Sequence, residues 1–326
     1  VDLSYSNTNL AGKVTMIHQG IQEWSPSASG EYFVQAMGAR GSTVSGNRGL
    51  GALVGGKVYL QKDDNISIVV GQVGTSTAGP GGGGGGGSFF VVNGEPVIVA
   101  GGGGGHGGHK DSLGQGAHAP NSLNGETVNT NYPGGINGNG GSGAEAGGGG
   151  GFYSDGGDGS QATGGRSFLN GAVGGYKTAG TYGGDGGFGG GGGGKYKDGN
   201  LYGSLHDGGG GGGYSGGGGG LNSVGGGGGS FNAGSDTFLI SGYNDDNGVV
   251  IITLLESEPE ETDSFDPTPI GTIDLSDPQG LKDWLAGLSA TGEIFYQEWN
   301  TPLTSEPVWA LSIEVDSAWA GPDISQ

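Results

Sequence analysis

Seven runs of five to seven consecutive glycines decide what this chain can fold into: 81–87, 101–105, 147–151, 189–194, 208–213, 216–220 and 225–229. A residue without Cβ adds nothing to an apolar core and loses more freedom on ordering than any other. Such runs either remain flexible linkers or satisfy one another's backbone groups. Three features favour order. The runs are similar in length. They are separated by aromatic or aliphatic residues such as Phe152, Tyr153, Phe188, Tyr214, Leu221 and Phe231. Strand-like sequence of one apparent domain brackets the whole region. The ordered solution is a bundle of polyglycine II helices, with three residues per turn, a rise of about 3.1 Å and no internal hydrogen bonds. Their N–H and C=O groups point outward and must find neighbouring helices. Interior helices must be pure glycine. Segments 134–140 and 183–188, which carry side chains between their glycines, read as rim helices.

Composition narrows the choice further. Glycine makes up 87 of 326 residues, against a usual share of about 7%. Only 32% of residues are apolar, too few for a conventional globule of this length. The glycines do not fall strictly at every third place and proline is sparse, which excludes collagen. There is no cysteine, so neither a disulfide scaffold nor a cysteine-based zinc site is possible. No stretch of about 18 apolar residues exists, so no membrane insertion is expected. The net charge is −21, which repels phosphate and argues against a nucleic-acid partner. It suits an exported protein: extracellular, at a cell surface or on a virion. Residues 256–266 hold six acids and no base and read as a solvated linker, since their spacing matches no calcium loop.

Composition also divides the chain. Residues 1–78 and 235–256 read as a β-sandwich framework. Residues 79–234 hold 68 of the 87 glycines and read as an inserted polyglycine II bundle with display loops at 106–133, 152–182 and 195–207. Residues 257–270 form the acidic linker, and 271–326 a small α+β region. Strands are expected at 20–24, 31–37, 57–61, 65–70, 88–92, 95–100, 237–240 and 248–255, from their aromatic and β-branched content between glycines. Asn93-Gly94 between two of them is a hairpin signal. In the C-terminal region, Asp277-Pro278 predicts a helix start, with Leu281, Trp284, Leu285 and Leu288 on one face. Two strands follow, at 293–299 and 307–315. Trp284, Trp299, Trp309 and Trp319 mark this region as an assembly surface.

The order of several segments resembles a known family. Residues 20–32, then Gly38-Ala-Arg-Gly41, Leu60-Gln-Lys-Asp-Asp64 and Ile68-Val-Val-Gly-Gln72, precede Gly81–Gly87 with Ser88-Phe-Phe-Val91. Val97-Ile-Val-Ala100 with Gly101–Gly105 follows, then Gly147–Gly151 with Phe152, Gly187-Phe-Gly-Gly190, Gly210–Gly213 with Tyr214, and the closing strand at 248–255. This succession, over residues 15–256, resembles the glycine-rich extracellular module of the anaplastic lymphoma kinase and leukocyte tyrosine kinase receptors. The resemblance implies a small TNF-like jelly roll carrying a polyglycine II bundle, in a module that binds a protein ligand. Similar modules occur in bacterial surface and tailed-phage fibre proteins, where they serve adhesion. The receptor modules carry disulfides and this chain has no cysteine; nor does a kinase follow. The prokaryotic and viral relatives are therefore the better comparison, and no ligand-contact residue carries over. Polyglycine II bundles also resemble springtail antifreeze proteins, but the irregular Tyr, Phe, Lys and Asp insertions argue against a flat ice face.

No catalytic constellation emerges, and neither an enzyme nor a cofactor is expected. GxGxxG matches are trivial in polyglycine and open no helix. A Gly-x-Ser-x-Gly match lacks the strand-to-helix elbow it needs. His106, His109 and Asp111 are a weak metal candidate at a spacing that fits no established ligand set. Loop tyrosines are the better functional hint, because tyrosine offers rigid contact area with a polar tip. Tyr132, Tyr153, Tyr176, Tyr182, Tyr196 and Tyr202 are the candidate partner-binding residues. The expected function is that of an adhesin or receptor-binding protein that engages a cell-surface protein or glycan and other subunits of a fibre or surface assembly. The alternative is a structural subunit with the glycine bundle as a stiff spacer.

Overall fold

The computed structural model describes residues 12–18, 20–43, 48–76, 81–109, 112–177, 183–196 and 205–257, and the strands at 293–299 and 308–314. The chain divides into two compact units, Val1–Ser257 and Glu258–Gln326. The first contains β1 (Thr15–His18), β2 (Ile21–Trp24), β3 (Gly30–Met37), β4 (Gly51–Leu60), β5 (Ile66–Val69), β6 (Ser88–Val92) and β7 (Glu95–Ala100). It continues with β8 (Gly107–His109), β9 (Ser112–Gly114), β10 (Lys195–Tyr196), β11 (Leu205–Asp207), β12 (Phe231–Asn232), β13 (Ser235–Asn244) and β14 (Val249–Ser257). The second unit pairs β15 (Glu293–Trp299) with β16 (Val308–Glu314) as an antiparallel ladder that opposes Trp309 to Glu298 and Trp299 to Val308. The helix expected from Asp277 lies outside the described residues, as do Trp284 and Trp319.

The protein is mostly β, and its strand pairs are antiparallel. One sheet has the order β1-β2-β5-β6-β7-β12 and a second the order β13-β4-β3-β14. Alternation explains the second sheet. In β3, Tyr32, Val34 and Ala36 are buried while Glu31, Phe33 and Gln35 turn outward. Val54, Val58 and Leu60 of β4 join them, and Ile66, Phe90, Ile98 and Ala100 of the other sheet meet them in one apolar cluster. Strand β4 begins six residues before the stretch expected from composition. Its Gly51 to Gly56 segment is a poor strand former by propensity, yet Leu53 to Gly56 pair residue for residue with β3, Gly51 pairs with Asn244 of β13, and the Phe238 ring lies over Gly55. The β6–β7 turn forms as expected, with Asn93 at φ 51° and Gly94 at φ 86°, the left-handed pair that a two-residue hairpin requires.

The glycine runs are buried and joined to one another by backbone hydrogen bonds. Run 208–213 shows the pattern best. Gly209, Gly210 and Gly211 donate to Gly82, Gly147 and Gly226 in three different runs; Gly212 and Gly213 then return to the first two, at Gly85 and Gly150. Its carbonyls accept in the same rotation, from Gly105, Gly192 and Gly217 at Gly209, Gly210 and Gly211, and from Gly102 at Gly212. This one run thus bonds to all six others, and partners repeat every three residues. Most of these bonds span 2.7–3.0 Å, ordinary N–H···O lengths. Within the runs only Gly189 and Gly190 have positive φ. Elsewhere glycine is required by space, because an added Cβ on Gly209, Gly210, Gly211 or Gly212 would collide with the carbonyl of a neighbouring run.

The array grows out of the sheets. Segments 38–42 after β3 and 71–75 after β5 join it, through Ala39 N–H to Gly86 O and Gln72 N–H to Phe188 O. Run 81–87 leads into β6, run 101–105 leaves β7, and run 225–229 leads into β12. Strands at 88–100 and 231–232, inside the 79–234 region, therefore belong to the framework, and glycine segments alternate with sheet strands along the chain. At the rim, side chains replace the missing neighbour run. Gly164 N–H donates to Asp158 Oδ1 at 2.9 Å, Gly134 to Thr127 Oγ1 at 2.9 Å and Gly138 to Ser215 Oγ at 3.0 Å. This is why short polar residues interrupt the glycines.

Replacing Gly211 by Ala places a methyl on the Gly102 carbonyl at the centre of this packing. It should destabilise the protein by about 1–3 kcal/mol, the usual cost of overpacking. Gly94→Asn, at a turn with open space around it and a φ that Asn tolerates, should change little. Thermal unfolding of both variants checks this; equal melting temperatures would contradict it.

Candidate functional site

The array has two chemically different ends. Because 87, 101 and 229 adjoin framework strands, that end of each run faces the sheets. Register carries the rule to the other runs: Gly87 donates to Gly189 and Gly213 to Gly150 at the framework end, Gly209 to Gly82 at the far end. At the framework end aromatic rings close the array. Phe152 stacks on Phe168 with centroids 4.9 Å apart, Phe89 lies 5.4 Å from Phe168, and Tyr214 stacks on Phe231 at 4.6 Å. Tyr153 packs edge-on against Phe152 at 5.0 Å and remains 46% exposed.

Asp155 fixes the turn beside these rings. Its carboxylate accepts from Ser167 N–H at 2.8 Å, Asn170 Nδ2 at 2.9 Å and Arg166 Nη1 at 2.6 Å. The 3-10 turn Phe168–Asn170 follows, capped by the Ser167 hydroxyl and ended by Gly171 at φ 94°. Burial pushes the Asp155 carboxyl up, but the donors from Ser167, Asn170 and Arg166 outweigh it and bring the pKa down to about 2.

At the far end, two of the expected display loops are joined to each other. Strands β8 and β9 from 107–114 and β10 and β11 from 195–207 form a four-stranded antiparallel sheet in the order β10-β11-β8-β9. Under it lies a buried polar cluster. Lys195 Nζ is in ion-pair contact with Glu145 Oε2 and lies 3.1 Å from Asp207 Oδ2. The Lys195 side chain is 5% exposed and Asp207 is fully buried. Asp207 Oδ1 accepts the Asn222 N–H. Burial pushes the Asp207 carboxyl up, against the lowering effect of Lys195 and of the Asn222 and Ser223 backbone. His106, also fully buried, has Nδ1 3.1 Å from Ser42 Oγ and 3.2 Å from Ser42 O. Burial lowers the His106 pKa, partly countered by the Ser42 carbonyl.

The residues singled out in sequence fall in different places. Tyr153 sits over the aromatic cluster. Tyr176 is 59% exposed, with its N–H on Thr163 Oγ1 at 2.7 Å. Tyr132 is half-buried in a bridge with Asn129. Tyr182 and Tyr202 lie outside the described residues, and only the backbone of Tyr196, in β10, is described. Asp111 lies outside the described residues, and only the backbone of His109, in β8, is described; among the described residues no three His, Asp or Glu side chains form a metal-binding group. An open groove of about 300 Å³ lies between residues 121–123 and β13, lined by Asn121, Ser122, Leu123, Asn232 and Phe238. The Lys195 cluster was not found from sequence. Its only signal is placement, since Lys195 follows run 189–194 directly and Asp207 precedes run 208–213 directly. No family model and no curated protein matches this chain.

The depressed Asp155 pKa fixes a pH dependence. A carboxylate whose pKa falls on folding stabilises the protein above its unfolded value of about 3.9, and that stabilisation is lost as pH falls toward about 2. Asp155→Asn should therefore lower the melting temperature at pH 7 and match the parent near pH 2. A gap that persists at pH 2 would show that the carboxylate charge is not the cause.

Proposed function

We propose that this protein is a non-catalytic recognition module of the glycine-rich type, borne on a cell surface or virion, which holds binding loops on a rigid backbone array. The observation that carries this reading is the three-residue repeat of hydrogen-bond partners around run 208–213, which is the period of polyglycine II. In this reading the runs are polyglycine II helices seated on a small TNF-like jelly-roll β-sandwich, as in the receptor modules and surface proteins that the sequence resembles. Recognition commonly resides on loops that a rigid scaffold positions. Here the exposed Tyr153 and Tyr176 and the amide-lined groove beside Leu123 offer the aromatic and hydrogen-bonding chemistry that suits a protein or glycan partner.

A second reading, a structural subunit of a fibre, draws on a different surface. Tyr59, Ile240, Val249 and Ile251 are exposed on the side of the β13-β4-β3-β14 sheet turned away from the core. Exposed apolar area of this kind commonly marks an interface.

Fluorescently labelled protein applied to bacterial and animal cells and to a glycan array tests the first reading. Binding should appear on a defined subset. A Tyr153→Ser, Tyr176→Ser double variant should lose at least about tenfold in affinity with an unchanged fold, as for truncated aromatic anchors. Absence of binding together with open-ended polymers in light scattering would favour the fibre subunit.

A further inference from the structure

We propose that Lys195 and Asp207 become joined by an intramolecular amide bond, with Glu145 as the general base. Three runs that are mutual neighbours bring these residues together. Gly147 donates to Gly193, Gly192 to Gly210 and Gly210 to Gly147, which closes a triangle of runs 147–151, 189–194 and 208–213. Lys195, Asp207 and Glu145 stand at the far ends of those same runs. In the β10–β11 ladder Lys195 lies directly opposite Asp207. The array thus fixes an amine donor and a carboxyl acceptor 3.1 Å apart, both buried, while Glu145 beside them is one-third exposed and opens the site to solvent on its side.

The chemistry balances without an outside reagent. Burial favours Asp207 as the neutral acid, the electrophilic form. Glu145 takes one proton from the Lys195 ammonium, and the freed nitrogen lone pair attacks Asp207 Cγ. The new N–C bond forms as the C=O bond to Oδ1 opens. Oδ1 already accepts the Asn222 N–H, a donor placed where negative charge develops. The bond from Cγ to Oδ2 then breaks. Oδ2 leaves as water, with the acid proton of Asp207 and the proton that Glu145 returns. The nitrogen keeps one proton and releases the last to solvent. Nothing is oxidised or reduced.

Two features make the site fit for this step. Attack between groups held in contact gains the large effective molarity of an intramolecular reaction. The alternative, a buried ion pair that remains ionic, retains the cost of keeping charges out of water, which its Coulombic attraction offsets poorly. The amide removes both charges and ties β10 to β11 across the interval 195–207.

Intact-mass spectrometry of the full chain under denaturing conditions tests the proposal. The expected mass is one water, about 18 Da, below that of the sequence. Tryptic digestion should yield peptides 178–197 and 198–282 linked through Lys195 and Asp207, since an acylated lysine is not cleaved. Lys195→Arg should restore the full mass. Glu145→Gln should also restore it while circular dichroism shows the parent fold, which separates lost chemistry from lost structure. The full sequence mass in folded parent protein would overturn the proposal. So would a loss of water without linked peptides, because that marks a succinimide at an Asp-Gly step such as Asp207-Gly208. A folded Glu145→Gln variant that still forms the link would refute the role given to Glu145.

Discussion

The backbone hydrogen bond between one glycine run and the next holds the larger part of this structure together. In most domains the interior is apolar side chain and the backbone satisfies itself within helices or sheets. Here the N–H groups of Gly209 to Gly213 each find a carbonyl on a different run, and the carbonyls of Gly209 to Gly212 accept from donors on others. No run can be ordered alone, so ordering must be cooperative across the array. A single bond contributes about 1 kcal/mol net, while fixing a glycine costs more than fixing any other residue. The array is therefore stable only as a whole and only where it is anchored. The sheets supply the anchor: β3, β5 and β7 lead into array segments, other segments lead into β4, β6 and β12, and the Phe90 and Ile98 cluster provides conventional apolar burial below.

This division of labour explains where chemistry is possible. Interior runs have no side chains, so functional groups are confined to the two ends and the rim. The framework end is aromatic because Phe152, Phe168, Tyr214 and Phe231 must close the array against the sheets. The far end is polar, and its charges are buried because three runs end close together there. The rim carries Asp, Ser and Thr because unpaired N–H groups on the outermost segments need acceptors.

Much of the framework was legible in the residues. Alternation in 30–37, the Asn93-Gly94 turn and the β-branched stretches at 88–100 and 248–255 each specify local geometry by a rule that needs no distant partner. The start of β4 was not legible, because Gly55 and Gly56 are in a strand only through pairing with β3, with the Phe238 ring over Gly55, and Gly51 only through pairing with Asn244 of β13. The far-end sheet and the Lys195 cluster were hidden for a related reason. One glycine run is chemically identical to another, so the sequence does not say which run lies beside which. That adjacency decides that 107–114 meets 195–207 and that Glu145 meets Lys195. Tyr153 and Tyr176 could be read as exposed from their place in loops between glycine runs, but whether they share a face could not.

The three-residue repeat gives the glycine runs a phase. Inserting one residue within run 208–213 would turn every later N–H toward the wrong neighbour, so those contacts would fail together. Three inserted residues would restore the direction of each donor and merely lengthen the rod. The segments between runs carry no such frame. Variation among descendants of this chain should therefore accumulate in the loops residue by residue, and in the runs only in steps of three residues. Such a scaffold would leave the loops free to change in sequence while the array beneath them keeps its register.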